Sequence, residues 1–169
     1  MVLFTEEEIQ TRVKSLAIEV SYKNNPENSS RVMIGVLNGA FMFFTDLVRN
    51  MKVDCEIDFM QAKSYLGQVQ DRVDILKDVS IDLKDKDIFV VDDIFDSGNT
   101  MKRLIAHLET KGPKSITPVT LFKRSYSYID GLMYGFELHN EAFLVGYGLD
   151  GKSGYKRNQA YITGEIFDE

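Results

Sequence analysis

The 169 residues contain a single cysteine, Cys55, and only two histidines, His107 and His139. One cysteine excludes an intrachain disulfide and suits a reducing compartment. Two separated histidines with one separated cysteine give no zinc-ligand spacing. No apolar run approaches the roughly 20 residues of a membrane span. The N-terminus, Met-Val-Leu-Phe-Thr-Glu-Glu-Glu, has no basic region ahead of an apolar core, so no secretory signal is expected. The cytoplasm is the expected location. Positive charge is scarce as well, since 20 Lys and Arg against 26 Asp and Glu leave a net charge of −6. That balance argues against a nucleic-acid partner held by non-specific phosphate contacts. It leaves room for an anionic substrate where Mg²⁺ mediates between carboxylates and phosphates. Also missing are a Gly-x-x-x-x-Gly-Lys-Ser/Thr loop, a Gly-x-Gly-x-x-Gly after a strand, and a Gly-x-Ser-x-Gly elbow around Ser97. No repeat, linker or low-complexity segment divides the chain, and its length suits a single domain over 1–169.

What remains centres on Ile88-Phe89-Val90-Val91-Asp92-Asp93-Ile94-Phe95-Asp96-Ser97-Gly98-Asn99-Thr100. Four consecutive apolar residues read as a strand buried on both faces. Three aspartates then fall within five positions, and Ser-Gly-Asn-Thr leads into the amphipathic run Met101, Leu104, Ile105 and Leu108. Ligands of α/β proteins sit at the carboxyl ends of strands, and phosphates sit on the amides that open a helix. The stretch therefore offers a phosphate cradle beside a row of carboxylates. Its bland alternative is an ordinary strand-to-helix turn with Asp96 or Ser97 as the cap.

Around this centre, strands and helices alternate. Thr5 and Glu8 have capping-box spacing, and Ile9, Val13, Leu16 and Val20 share one face, so a helix is expected over 6–22. A loop follows at Asn24-Asn25-Pro26, then a strand over 32–37, the turn Asn38-Gly39 and an apolar helix over 40–48. Val53, Cys55, Ile57 and Phe59 alternate with Asp54, Glu56 and Asp58, which predicts a strand with Cys55 in the apolar phase and the acids outside. From Ala62 to Asp74 the pattern dissolves, and a hairpin connection and a closing lid stand as equal readings. Val73 and Ile75 hint at a returning strand. Lys111-Gly112-Pro113 ends the central helix, and strands are expected over 116–122 and 143–146, with a weaker one near the end at Tyr161-Ile162 and Glu165-Ile166. The alternation over 32–122 predicts an α/β fold with a mostly parallel sheet covered on both faces.

The central stretch resembles the signature of type I phosphoribosyltransferases, in which an acidic pair ends a strand and an Asp-Ser/Thr-Gly-x-Thr loop takes a 5′-phosphate. Leu37-Asn38-Gly39, Lys63-Ser64-Tyr65, Leu121-Phe122-Lys123-Arg124 and Phe143-Leu144-Val145-Gly146-Tyr147-Gly148-Leu149-Asp150 are similar to pieces of the hypoxanthine-guanine branch, in that branch's order. The resemblance spans roughly 30–166. It implies a small hood built from about 1–30 and 143–169, and transfer of phosphoribosyl from its pyrophosphate donor (PRPP) to a 6-oxopurine. It also implies roles for individual residues. Asp92 and Asp93 face the ribose hydroxyls and a Mg²⁺ ion, and Asp96 serves purine N7 as acceptor or general base. Ser97, Gly98, Asn99 and Thr100 cradle the 5′-phosphate. Leu37, Asn38, Gly39 and Arg157 bind pyrophosphate. Lys123 donates to O6, Phe143 stacks on the purine, and main-chain oxygens near Leu144 and Asp150 read position 2. Asp150 also holds a second Mg²⁺, and Ser64 and Tyr65 sit at the base of a lid. Relatives of this kind are typically dimers or tetramers.

Two departures stand out. Asn38 occupies a position that often carries lysine or arginine, and the spacing from Asp150 to Arg157 is one residue longer than usual, which makes Lys156 an alternative base. Other readings are a relative preferring xanthine, a non-catalytic regulator binding PRPP, and a phosphorylation-switched receiver. The last places its acidic pair after the first strand, unlike the mid-chain pair here.

Overall fold

The computed structural model describes residues 1–24, 27, 30–65, 72–151 and 154–165. Its six-stranded sheet is built from β2 (Arg31–Leu37), β3 (Glu56–Tyr65), β4 (Arg72–Lys77), β5 (Asp87–Phe95), β6 (Ser115–Arg124) and β7 (Met133–Leu138). The order is β4-β3-β2-β5-β6-β7, parallel throughout except for the antiparallel edge strand β4. In β5 the apolar run serves both faces by alternation. Phe89 and Val91 pack with helices α1 (Glu6–Tyr22) and α2 (Phe41–Asn50), whereas Ile88 and Val90 pack with α3 (Asn99–Glu109). Helix α1 begins with the expected capping box, in which Thr5 Oγ1 accepts from Glu8 N and Glu8 Oε2 accepts from Thr5 N at 2.8 Å.

The connection through α2 leads from β2 to β3 on one side, and the connection through α3 leads from β5 to β6 on the other. The chain thus reverses its direction of travel across the sheet between β2 and β5. Carboxyl ends of strands at such a reversal open a crevice, which is where α/β sheets bind ligands. Both chain ends meet elsewhere, in a small antiparallel sheet of β1 (Val2–Phe4), β9 (Ile162–Glu165) and β8 (Phe143–Val145). Strand β1 has no counterpart in the sequence reading, because three residues are too few to show a period. No described helix is long and apolar enough to cross a membrane.

The alternation expected around Cys55 holds only in part. Ile57 is exposed and Asp58 is buried, the reverse of their expected faces. Strand β3 lies between two neighbours, and its Asp58 finds partners that hydrophobic periodicity does not register. The carboxylate accepts from the backbone amides of Phe59 (2.8 Å), Ser80 (2.6 Å) and Ile81 (3.2 Å) and from Ser80 Oγ at 3.1 Å. Burial alone raises its pKa, but these donors hold it down at about 2. Cys55 is half-buried against the core, as its phase suggests.

Strand β3 also continues through Ser64 and Tyr65, where the sequence pattern had dissolved. It pairs with β4 in the register Ser64↔Val73, so the arms on each side form a hairpin. The connecting residues 66–71, to which the lid reading belongs, lie outside the described residues, as does Ile166.

A depressed folded-state pKa places the Asp58 contribution above pH 3.8 and removes it as pH falls through about 2. Asp58→Asn is expected to cost about 2 kcal/mol at pH 7. Urea unfolding should show that difference shrinking toward zero as both proteins are taken from pH 5 to pH 2.

Candidate active site

A cleft of about 460 Å³ opens at the reversal point. Its floor is the end of β5. Asp92 and Asp93 are both partly buried. Burial raises Asp92 well above the ordinary carboxylate range, and the neighbouring charge of Asp93 adds to it. Asp93 is also raised by burial, against opposing hydrogen bonds and the charge of Arg157. Amides fasten the pair, with Asp93 N donating to Asp92 Oδ1 at 2.9 Å and Ile94 N to Asp93 Oδ1 at 2.7 Å. Two adjacent carboxylates that resist ionisation together are a ready partner for a cation.

On one side lies the turn after β2, whose Leu37–Asn38 peptide bond is cis. Leu37 and Gly39 line the cleft, while Asn38 is exposed at the turn. Gly39 is dictated by its neighbour, since a Cβ there would stand 1.8 Å from Asp93 Oδ2. On the other side Ser97, Gly98, Asn99 and Thr100 line the opening of α3. Gly98 is the N-cap, at φ +82°, a left-handed conformation that favours glycine. The cap therefore brings no side chain of its own to the first helical turn, and the helix dipole there favours an anion. Ser97 Oγ instead accepts from Asn99 N at 3.3 Å, so the bland expectation of Asp96 or Ser97 as N-cap is replaced by a glycine. Ser64 Oγ reaches within 3.3 Å of Thr100 Oγ1, tying the hairpin to the loop. Tyr65 is exposed, with the Lys63 ammonium 5.1 Å above its ring.

The C-terminal segment supplies Asp150 and Arg157, which line the same cleft. Arg157 donates to the Gly148 carbonyl at 2.7 Å, and its other terminal nitrogen lies 2.8 Å from Asp150 Oδ2. Lys156 turns instead to Glu165, at 2.8 Å. Of the two alternative bases, Arg157 is the one placed in the cleft.

Of the remaining expected residues, Asp96 lines the cleft, whereas Lys123, Phe143 and Leu144 do not. Lys123 lies at the end of β6, 3.1 Å from Glu137 Oε2 and 5.3 Å from the Tyr134 ring centroid. Phe143 begins β8 half-exposed, and Leu144 is buried behind it. Asp96 is the exposed member of the acidic trio, and its carboxylate accepts from Tyr126 at 2.7 Å. Tyr126 carries no motif of its own, so only the fold reveals the contact.

The model of the phosphoribosyl transferase domain matches residues 4–152. The chain belongs to that family. It is 37% identical over 167 residues to the hypoxanthine phosphoribosyltransferase of Escherichia coli, covering 95% of this chain and 92% of the relative. The hypoxanthine-guanine phosphoribosyltransferase of Aquifex aeolicus is 38% identical over 167 residues, at 95% and 93% coverage. Among solved structures, a hypoxanthine-guanine phosphoribosyltransferase of Bacillus anthracis with HEPES in its active site superposes with a TM-score of 0.89. It shares 34% identity and 98% of each chain.

Gly39→Ala is expected to push the Asp93 carboxylate aside. Transferase activity should fall by about 10²-fold, the cost of a misplacement near 1 Å, while urea unfolding registers a loss of only about 1–3 kcal/mol.

Proposed function

We propose that the chain is a purine-salvage enzyme, a hypoxanthine-guanine phosphoribosyltransferase, that joins a 6-oxopurine to C1 of PRPP and releases pyrophosphate. The observation that carries this reading is one cleft combining the Asp92–Asp93 pair, the glycine-capped loop Ser97–Thr100 and Asp96. Purine N9 attacks C1 as the C1–pyrophosphate oxygen bond breaks, and the N7 proton passes to Asp96. Positive charge develops on the ribose as that bond loosens, and the carboxylates flanking the cleft stabilise it. Loop amides and the Ser97 and Thr100 hydroxyls hold the 5′-phosphate, and Leu37, Asn38, Gly39 and Arg157 hold the pyrophosphate.

The donor set suits magnesium. Asp92 and Asp93 are hard oxygen ligands, of the kind that hold this ion through one or two carboxylates with substrate oxygens and water completing its shell. When bound, magnesium neutralises pyrophosphate and orders the ribose hydroxyls. Asp150 is the proposed ligand of a second ion, in exchange for its contact with Arg157.

For the purine, Lys123 donates to O6, Phe143 stacks on the ring, and main-chain oxygens near Leu144 and Asp150 read position 2. Lys123 exchanges Glu137 for the base on binding. Ser64 and Tyr65 sit at the base of a lid that keeps water from the donor. A cytoplasmic location and a homo-oligomer, dimer or tetramer, complete the proposal.

Purified protein with PRPP and Mg²⁺ should consume hypoxanthine or guanine and form IMP or GMP. Removing divalent ions with EDTA should abolish turnover, and adding Mg²⁺ back should restore it. No turnover of any 6-oxopurine sinks the reading. Asp96→Asn should lower kcat by about 10²–10⁴-fold, the range for a general base, with PRPP binding kept; near-normal turnover would remove Asp96 from the mechanism.

A further inference from the structure

We propose that Tyr126 is a positioning residue that sets the Asp96 carboxylate for proton acceptance; this rests on the general-base reading of Asp96. Asp96 stands past the end of β5 with 57% of its side chain exposed. An exposed aspartate samples several rotamers, whereas a general base must meet its proton within hydrogen-bond reach. The segment just after β6 supplies the constraint. Tyr126 Oη donates to Asp96 Oδ1 at 2.7 Å. Arg124 Nε lies 3.7 Å from the same oxygen, and among the described residues this buried nitrogen has no hydrogen-bond partner. Two other nitrogens of Arg124 donate to the carbonyls of Asn140 and Ala142, so its guanidinium is fixed in place. Ser127 Oγ donates to the Asp96 main-chain carbonyl, which fastens the backbone beneath the carboxylate.

All three contacts come from four consecutive residues, Arg124 to Ser127, and they engage one carboxylate oxygen and the carbonyl. Oδ2 takes part in none of them and is left to face the base. The Tyr126 ring is 67% exposed, so core packing does not dictate its direction. The bond to Asp96 raises the phenol above its ordinary value, which keeps the proton on Tyr126 and the tyrosine a donor. Asp96 thereby has one oxygen anchored and one available, an arrangement that lowers the entropic cost of reaching the reactive geometry.

Tyr126→Phe removes the donor and keeps the ring. Single-turnover transfer to hypoxanthine should slow about tenfold, as for loss of one hydrogen bond to a charged group. The dissociation constant for PRPP and the thermal midpoint should not move. In an Asp96→Asn background the same substitution should change the rate less than about twofold, because the residue it positions is already lost. An unchanged rate in Tyr126→Phe, or an equal loss in both backgrounds, overturns the positioning role while leaving a slow Asp96→Asn intact. A near-normal rate in Asp96→Asn alone overturns the general-base reading and this proposal with it.

Discussion

Two carboxylates at the end of a strand buried on both faces are the constraint on which the rest of the site depends. Residues Ile88 to Val91 of β5 are wholly inaccessible, held between β2 and β6 and covered by helices on both faces. Asp92 and Asp93 follow without a break, so the rigidity of the core extends directly to the acids. Burial and mutual repulsion make that pair costly in charged form. Neighbouring features answer to it. Gly39 lacks a side chain because Asp93 occupies its space, and Arg157 sends compensating charge from the other end of the chain.

The C-terminal segment reaches the cleft through a network remote from the carboxylates. Tyr147 Oη donates to Asp46 Oδ2 at 2.6 Å, and Gln10 donates to the same oxygen at 2.7 Å. Burial and the Asp46 bond push the phenol upward, so Tyr147 stays a donor. One oxygen thus joins α1, α2 and the turn at Gly146–Leu149. Past that turn, Gly148 exchanges hydrogen bonds with Arg157 at 2.7 and 2.8 Å, which seats the guanidinium beside Asp150. The floor of the cleft comes from a rigid strand and its wall from a tethered loop.

Much of this was legible from residues in series. The helix at 6–22 declares itself by capping box and apolar period, and the central strand and α3 by an apolar run, a glycine and an amphipathic stretch. Local rules write these signals within a few positions. Legibility failed where the deciding partner was distant in the chain. Asp58 reads as a wet-face residue until the amides of Ser80 and Ile81 meet it. Val2–Phe4 shows no pattern of its own until it pairs with β9. Lys156 and Arg157 are equivalent by spacing, and Glu165 separates them by taking the lysine.

By itself the sequence determined the chemistry available: three aspartates, a Ser-Gly-Asn-Thr loop and a strand buried enough to hold them still. Covalent order suffices for that, because all the parts fall within thirteen consecutive residues. Only the tertiary structure decided which groups join them. The turn at Gly39 arrives because β2 pairs with β5, Arg157 because it is bonded to Gly148, and Tyr126 because β6 runs parallel to β5 and ends beside Asp96. Those meetings depend on strand order and register, which are set by burial across the whole sheet.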